Sequence, residues 1–333
     1  MRSEMKNIET EATPKVCVIT ATYNGARYIQ RTIDSVLCQT LTDFEYVIID
    51  DGSSDGTARI LNDAAASDRR IRVVTQPVPS GGPTIPKNIG LAIARAPYVC
   101  FLDHDDYLHP QKLALMCEGL DQHPEWVAAF HDLQLVTAAE VAHKGTYLSN
   151  SNFCNAADNF MTSIGKDWFD CNDDFYFFMS LRYAAMHTAS VILAPGRLMK
   201  DPVSFRARFK GCDDTDLWLR VGFQGKIGYL DRVLSYYRIH DTNLSGDMVT
   251  MTQNALEVMK DNFLRGRHRW TRTQRNQYSY KMHTYRLDLA YALKAQRKYS
   301  EARKVYYSVL GSGRLNASLN GLFRLALTKL LRS

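Results

Sequence analysis

A short apolar segment that ends in a cluster of carboxylates constrains this chain more than any other feature. Tyr98–Leu102 is apolar and β-prone, which indicates a buried strand. Three carboxylates follow it directly: Asp103, Asp105 and Asp106. In an extended chain Asp103 and Asp105 point the same way, so a shared divalent ion with oxygen ligands would relieve their mutual repulsion. A solvated turn that caps a helix from Pro110 explains the same residues equally well.

The bulk composition is that of an ordinary globular protein. The chain has 333 residues, 45% hydrophobic and 23% charged, so it suits one large α/β domain with an appendage, or two domains. No apolar run reaches the about 18 residues of a membrane span. Residues 1–13 are polar, so we expect neither a signal peptide nor much order there. The seven cysteines form no C-x-x-C pair, which favours reduced thiols in the cytosol.

Charge is distributed unevenly along the chain. Residues 246–333 carry 17 basic and 5 acidic side chains, whereas residues 1–245 carry 24 basic and 30 acidic ones. A basic tail of this kind could meet an anionic membrane surface or a nucleic acid. A solvated helical face is the commoner outcome of the same pattern.

Strand and helix patterns alternate through the first hundred residues. Helical spacing at 27–39, 58–66 and 86–94 separates apolar β-prone runs at 16–20, 44–49, 71–74 and 98–102. This alternation predicts an α/β fold with a doubly wound, mostly parallel sheet. Further strands are expected at 127–130 and 187–193.

Polar segments follow three of the predicted strands, where a doubly wound sheet binds its ligands. They are Thr22-Tyr23-Asn24, Asp50-Asp51 and Asp103-His104-Asp105. Neither G-x-G-x-x-G nor G-x-x-x-x-G-K-[ST] follows any strand, which disfavours a Rossmann dinucleotide site and a P-loop. Two acidic strand ends indicate instead that phosphates are reached through a metal ion.

Five segments in a fixed order resemble the family 2 glycosyltransferases of the GT-A fold. The strand ends at 16–25, 47–57 and 101–106 match its first three motifs, 211–220 is similar to its ED segment, and 236–245 is similar to its closing Tyr-Arg-x-His stretch. The resemblance implies a GT-A domain over most of the chain. Since the Gln-x-x-Arg-Trp signature of processive members is absent, it points to the bacterial non-processive type.

The resemblance implies which residues bind the nucleotide. Tyr23 would stack on the base, with Thr22 and Asn24 beside it in the same loop. Asp50 and Asp51 would accept hydrogen bonds from uracil or a similar base. From the residues alone, Tyr23 could also pack at the strand end and Asp50 could cap a turn.

The resemblance also implies a divalent metal site. Asp103 and Asp105 would contact ribose and diphosphate through Mg²⁺ or Mn²⁺. His240 would reach the metal or the diphosphate, although a structural histidine explains it nearly as well. Asp106 would instead cap the next helix. Lys87 stands in the nucleotide-binding region where the family commonly has arginine, and it keeps the positive charge without the planar fork.

Acidic residues at 213–216 supply the candidate general base. By resemblance Asp214 would deprotonate the acceptor hydroxyl, which an inverting transfer requires on the sugar face opposite the nucleotide. A carboxylate at a helix N-terminus is also a routine cap. The acceptor-side candidates are Asp213, where the family commonly has Glu, and the aromatic residues Trp168 and Trp218. An aromatic helix face packed on the sheet explains Trp168 equally well.

Helical patterns continue after residue 245. They cover 248–260, 273–293 and 300–310, and the last two resemble one tetratricopeptide-like hairpin. Residues 314–332 place leucines at helical spacing with four basic residues between them, which suits an interfacial helix on anionic lipid. A helix packed on its own domain or on a homodimer partner fits the pattern at least as well.

We therefore expect a disordered segment at 1–13, a GT-A domain at 14–245 and a basic helical extension at 246–333. The expected activity is an inverting, metal-dependent transfer of a sugar from a nucleoside diphosphate, most simply UDP, to a glycan or lipid-linked hydroxyl in cell-surface polysaccharide synthesis. This predicts a cytoplasmic protein, peripheral on the inner face of the cell membrane, without a nucleic-acid partner. A nucleotide-sugar-binding scaffold and a nucleotidyltransferase are the alternatives.

Overall fold

The computed structural model describes residues 13–181, 186–209, 211–241 and 248–310. These residues divide into two compact units. The first holds 13–175, 186–205 and 220–240, and the second holds 176–181, 206–209, 211–219, 241 and 248–310. The division differs from a single boundary after residue 245, because two earlier segments belong to the second unit.

The first half of the first unit alternates strands and helices as the sequence predicts. Strands β1 (Val16–Thr22), β2 (Phe44–Asp50), β3 (Ile71–Thr75) and β4 (Tyr98–Phe101) are separated by helices α1 (Ile29–Leu37), α2 (Thr57–Ser67) and α3 (Thr84–Ile93). Strands β1, β2 and β4 are buried along their whole length. Both of their faces are covered, so they form nearly unbroken apolar runs rather than alternating ones.

The remaining elements of this unit extend the same sheet. They are β5 (Tyr107–Leu108), α4 (Lys112–Gln122), β6 (Trp126–Thr137), β7 (Ala142–Thr146), α5 (Tyr147–Asn150), α6 (Phe153–Ala157), β8 (Met161–Gly165), β9 (Trp168–Cys171), β10 (Val191–Leu193) and β11 (Lys226–Ile239). The strand order is β3-β2-β1-β4-β10-β6-β11-β9-β8, with β5 on β11 and β7 on β6. The predicted parallel sheet is confirmed across β1–β4, and β6 also pairs in parallel with β11.

Three local predictions differ from the structure. The expected strand at 187–193 is shortened to β10, because the His187 side chain accepts a hydrogen bond from the Ala189 amide and starts a 3₁₀ turn. Trp168 lies on β9, which pairs with β8 and β11, rather than on a helix. Helix α4 begins at Lys112, two residues after Pro110, whose carbonyl accepts a hydrogen bond from Thr40.

The second unit is helical. It includes most of α7 (Phe175–Leu181), the start of α8 (Asp213–Gly222), and α9 (Met248–Gly266), α10 (Arg272–Ala295) and α11 (Tyr299–Leu310), which confirms the predicted C-terminal helices. The Asn262 side chain is buried at its centre, where it accepts from Tyr176 and donates to Ser180 and Tyr278. The predicted lipid-binding helix at 314–332 lies outside the described residues. Within the described ranges, no helix is long and apolar enough to cross a membrane.

A buried carboxylate joins the β1–β4 half of the sheet to the loop before β4. Glu45, on β2, is 2% exposed. Its Oε1 accepts hydrogen bonds from the backbone amides of Arg95 (2.6 Å) and Ala96 (3.1 Å), and its Oε2 lies 3.2 Å from Arg72 Nη1. Burial raises the pKa of Glu45, but the Arg95 and Ala96 hydrogen bonds outweigh it and hold the pKa below its ordinary value.

We expect Glu45→Ala to destabilise the fold by about 2–3 kcal/mol, because it leaves the backbone amides of Arg95 and Ala96 without their charged acceptor. The pKa of Glu45 is depressed in the folded state, so its contribution is complete above the unfolded pKa of about 4.3 and is lost as pH falls through the folded value. Urea unfolding at several pH values measures the effect, with exposed Glu118→Ala on α4 as the control. An equal loss in both variants would contradict the assignment.

Candidate active site

The loop after β1 packs tightly against the loop after β4. A Cβ atom on Gly25 would lie 2.5 Å from Thr22 Oγ1 and 2.8 Å from His104 Cδ2, so only glycine allows this approach. Thr22 is buried, whereas Tyr23 is 48% exposed. The ring of Tyr23 is therefore accessible to a planar ligand at the edge of the sheet.

Asn24 connects the loop after β1 to the loop after β2. It adopts a left-handed backbone conformation with φ of 49°, which asparagine tolerates better than most residues. Its backbone N–H donates to Ser53 Oγ, and its Oδ1 accepts from the Ser54 amide, both at 2.9 Å. Asn24 therefore fixes the relative position of the two predicted nucleotide-binding loops.

The two carboxylates that end β2 have different surroundings. Asp51 accepts hydrogen bonds from Gln76 Nε2 and from the Ser80 amide and hydroxyl, so it holds the loop that leads into α3. Asp50 is fully buried, and its Oδ1 accepts from the Ser53 amide at 3.1 Å. Its Oδ2 has no hydrogen-bond partner among the described residues. An unsatisfied buried acceptor is costly, and a ligand N–H would satisfy it.

Lys87 is the cation beside the first carboxylate after β4. Its Nζ lies 2.7 Å from Asp103 Oδ1, and the Lys87 side chain is 4% exposed. Burial raises the pKa of Asp103, but the Lys87 ammonium outweighs it and holds the pKa below its ordinary value. Asp103 is therefore an ionised carboxylate in the resting site.

The His240 imidazole contacts the second carboxylate after β4. Its Nε2 donates to Asp105 Oδ2 at 2.8 Å, and its ring stacks on Tyr28 with centroids 4.9 Å apart. The imidazole is held on one side by the aromatic ring and directed at the carboxylate. This contact fixes the orientation of Asp105 at the end of β4.

Asp106 lies in the interior and does not cap α4, contrary to expectation. It is fully buried, and its Oδ1 accepts a hydrogen bond from the Arg238 backbone N–H at 3.0 Å. Burial, followed by the charges of Asp105 and Asp103, raises the pKa of Asp106 well above its ordinary value. The neutral form of this carboxyl is therefore favoured.

The Arg238 guanidinium fastens the loop after β4 to its surroundings. The side chain donates to the carbonyls of Asp105 (2.8 Å) and Ala138 (3.1 Å) and pairs with Glu140 at 3.1 Å. It also lies 4.7 Å from the Tyr28 ring centroid. Arg238 is 3% exposed, so its guanidinium makes these charge-assisted hydrogen bonds from a buried position.

The structure adds a histidine that sequence reasoning missed. The ring of His187 lies 4.6 Å from that of Tyr237, and the charges of Asp103 and Asp105 act on it. Burial is the main cause that lowers the pKa of His187 to about 4, so the imidazole is neutral near pH 7. An isolated histidine before an apolar run gave no signal for this position.

The candidate general base lies in the second unit, in the first turn of α8. Of its three carboxylates, Asp213 and Asp216 are buried at 6% and 1% exposure, and Asp214 is partly exposed. Asp216 lies 3.6 Å from Arg206, which gives it a structural ion pair. Asp214 therefore has the most accessible carboxylate of the three.

The two predicted acceptor-side tryptophans have packing contacts. Trp168 is partly buried against Trp126, with ring centroids 5.4 Å apart, and against Gly119, where an added Cβ would lie 2.4 Å from its ring. Trp218, in the second unit, is 2% exposed. Neither ring presents an open face comparable to that of Tyr23.

The carboxylates after β4 suit a hard divalent ion in their donor chemistry. Asp103 and Asp105 supply oxygen donors next to each other at a strand end, and His240 already orients the second. Within the described ranges, no three His, Cys, Asp or Glu side chains form a ready-made metal cluster. One or two carboxylates completed by substrate phosphates are the usual protein contribution to a Mg²⁺ site, so the residues fit such an ion.

Comparison with known sequences identifies the family. The model for "Glycosyl transferase family 2" matches residues 17–150. The uncharacterized glycosyltransferase alr2836 of Nostoc sp. is 30% identical over 244 residues, 72% of this chain and 70% of that protein. The chain belongs to glycosyltransferase family 2. The family consists of enzymes that transfer glycosyl groups, and the predicted resemblance is confirmed.

Solved structures of glycosyltransferases share the fold. TarS 1–349 of S. aureus in complex with UDP-GlcNAc superposes with a TM-score of 0.55 at 17% identity, covering 90% of this chain and 91% of that one. The mannosyltransferase PcManGT of Pyrobaculum calidifontis, in complex with GDP-Man and Mn²⁺, superposes with a TM-score of 0.58 at 16% identity, covering 95% and 81%. The predicted GT-A fold of this family 2 chain is therefore confirmed.

Some relatives are much longer than this chain. The chondroitin synthase of Pasteurella multocida is 26% identical over 255 residues, which are 76% of this chain but only 24% of that protein. The similarity therefore concerns one part of a larger synthase.

We expect Arg238→Met to destabilise the fold by about 2–3 kcal/mol, because it leaves the carbonyls of Asp105 and Ala138 without their charged donor. Arg232→Met, on the same strand, is the matched control. Arg232 pairs with Asp167 at 2.8 Å, but both side chains are about half exposed, so its loss should cost about 1 kcal/mol or less. Urea unfolding compares the two, and similar losses would contradict the role assigned to Arg238.

Proposed function

We propose that this protein transfers a glycosyl group from a nucleoside diphosphate sugar to a hydroxyl acceptor, with inversion at the anomeric carbon. The arrangement at the ends of β1, β2 and β4 carries the proposal. An exposed aromatic ring at Tyr23, an unsatisfied buried acceptor at Asp50 and the Lys87–Asp103 pair lie at one edge of the sheet. These groups match the base and the phosphates of a nucleotide.

The proposed nucleobase of the donor is uracil. The Tyr23 ring stacks on it, and Asp50 Oδ2 accepts its imide N–H, while Asn24 and Asp51 hold the loops around it. The complex of TarS with UDP-GlcNAc supports this choice of nucleotide, whereas the complex of PcManGT with GDP-Man makes guanine the competing base. Uracil and guanine both present N–H donors to a carboxylate, so binding measurements must decide between them.

The diphosphate is proposed to bind beside Asp103 and Asp105, which would hold Mg²⁺ or Mn²⁺. A bound ion of this kind neutralises charge on the departing diphosphate. Lys87 adds a positive charge from α3, and His240 keeps the Asp105 carboxylate in one orientation. The Mn²⁺ in the PcManGT complex supports the metal.

Asp214 is the proposed general base. Its position at the start of α8 and its exposure, greater than that of Asp213 and Asp216, support this role. It would take the proton from the acceptor hydroxyl as the new glycosidic bond forms. The acceptor is proposed to be a growing glycan or a lipid-linked sugar at the cytoplasmic side of cell-surface polysaccharide synthesis, which agrees with the similarity to a chondroitin synthase.

Calorimetric titration with UDP, GDP and dTDP tests the donor site, each with Mn²⁺ and with EDTA. We expect UDP to bind best, only with the metal, and Asp105→Ala to abolish the binding. Exposed Asp63→Ala on α2 is the control for a lost carboxylate. Binding of none of the three nucleotides would refute the proposal.

We expect Asp214→Asn to lower turnover by roughly 10²–10⁴-fold while nucleotide affinity stays unchanged, because the amide cannot accept the proton. Asp63→Asn makes the same chemical change at an exposed position and should turn over normally. Turnover is measured as the release of nucleoside diphosphate, which accompanies both hydrolysis and transfer of the donor sugar. Normal turnover in Asp214→Asn would rule it out as the base.

A further inference from the structure

The turn that joins α9 to α10 concentrates positive charge. Between Asp261 and Asp288 the chain has no acidic residue. The same stretch holds seven basic residues, namely Arg265, Arg267, Arg269, Arg272, Arg275, Lys281 and Arg286. Residues 264–272, here called the basic corner, contain four of them.

The basic corner also presents apolar surface. Arg267, Arg269 and Arg272 are exposed, as is His268 between them. Leu264, in the last turn of α9, is 60% exposed. The basic corner therefore presents one large apolar side chain beside three exposed guanidinium groups.

Ring packing and side-chain hydrogen bonds hold the backbone of the basic corner in place. Trp270 is 4% exposed and packs on Tyr278 and Phe177, with ring centroids at 4.8 and 5.5 Å. Gly266 lets the Trp270 ring approach, since an added Cβ would lie 2.5 Å from it. Arg275 Nη1 donates to the carbonyls of residues 267 (3.0 Å) and 270 (2.9 Å). The exposed cations therefore stand on an ordered scaffold, which lowers the entropy lost on binding.

We propose that the basic corner docks this protein on an anionic phospholipid surface. Each basic residue near such a surface contributes attraction that falls off within a Debye length, and an exposed leucine gains by entering the lipid interface. Leu264 favours a membrane over a nucleic acid, whose phosphates would be met by the arginines alone. The inference concerns location and does not depend on the proposed reaction.

The full-length protein is tested by co-sedimentation with sucrose-loaded vesicles. One set is phosphatidylcholine alone, and the other contains about one third phosphatidylserine. The corner variant is Arg267→Gln, Arg269→Gln and Arg272→Gln together. The matched control removes the same charge from exposed positions elsewhere in the second unit: Lys298→Gln, Arg303→Gln and Lys304→Gln. Thermal melting confirms that both triple variants are folded.

We expect binding to the anionic vesicles only, weakened at least about tenfold in the corner variant and by much less in the control. Leu264→Gln should also weaken it. An equal loss of vesicle binding in the two triple variants would mean that only the net charge of the protein matters, and it would overturn the proposal. So would unchanged binding of the corner variant, equal binding to neutral vesicles, or tighter binding of short double-stranded DNA that the corner variant abolishes.

Discussion

Three carboxylates at the end of one buried strand repel one another, and much of the site follows from how this repulsion is relieved. The sequence suggested one shared cation. In the structure each carboxylate has different surroundings. Asp103 pairs with the Lys87 ammonium, Asp105 contacts His240, and burial favours the neutral form of Asp106. The resting site is therefore stable as a set of internal contacts, and a divalent ion would be added to an arrangement that the protein already holds.

These partners come from distant parts of the chain. Lys87 lies on α3, whereas Arg238 lies on β11 and His240 directly follows it. Strand β11 reaches the loop after β4 because it pairs with β6 along most of its length and with β5 near its end. The sheet extension beyond β4 therefore belongs to the site, since it delivers the groups that hold the acidic loop in place.

The parallel half of the sheet and its polar ends were predictable from sequence because they depend on local patterns. The apolar run before Asp50, like the one before Asp103, indicates a strand and places a carboxylate at its end. The contacts of Arg238 and His187 were not predictable, because they join residues that lie 50 or more positions apart in the chain. Asp106 illustrates the limit: the same residue type can cap a helix or lie buried, and only tertiary packing decides.

Gly25 has a further consequence, for how the sequence of this protein can change. Its missing side chain is the reason that the loop after β1 can rest against His104. A mutation to any larger residue would force Thr22 or His104 aside, and a smaller residue at 104 would relieve part of that strain. Positions 25 and 104 are therefore coupled sterically: the side chain at one limits the size of the residue that fits at the other, although they are far apart in the chain.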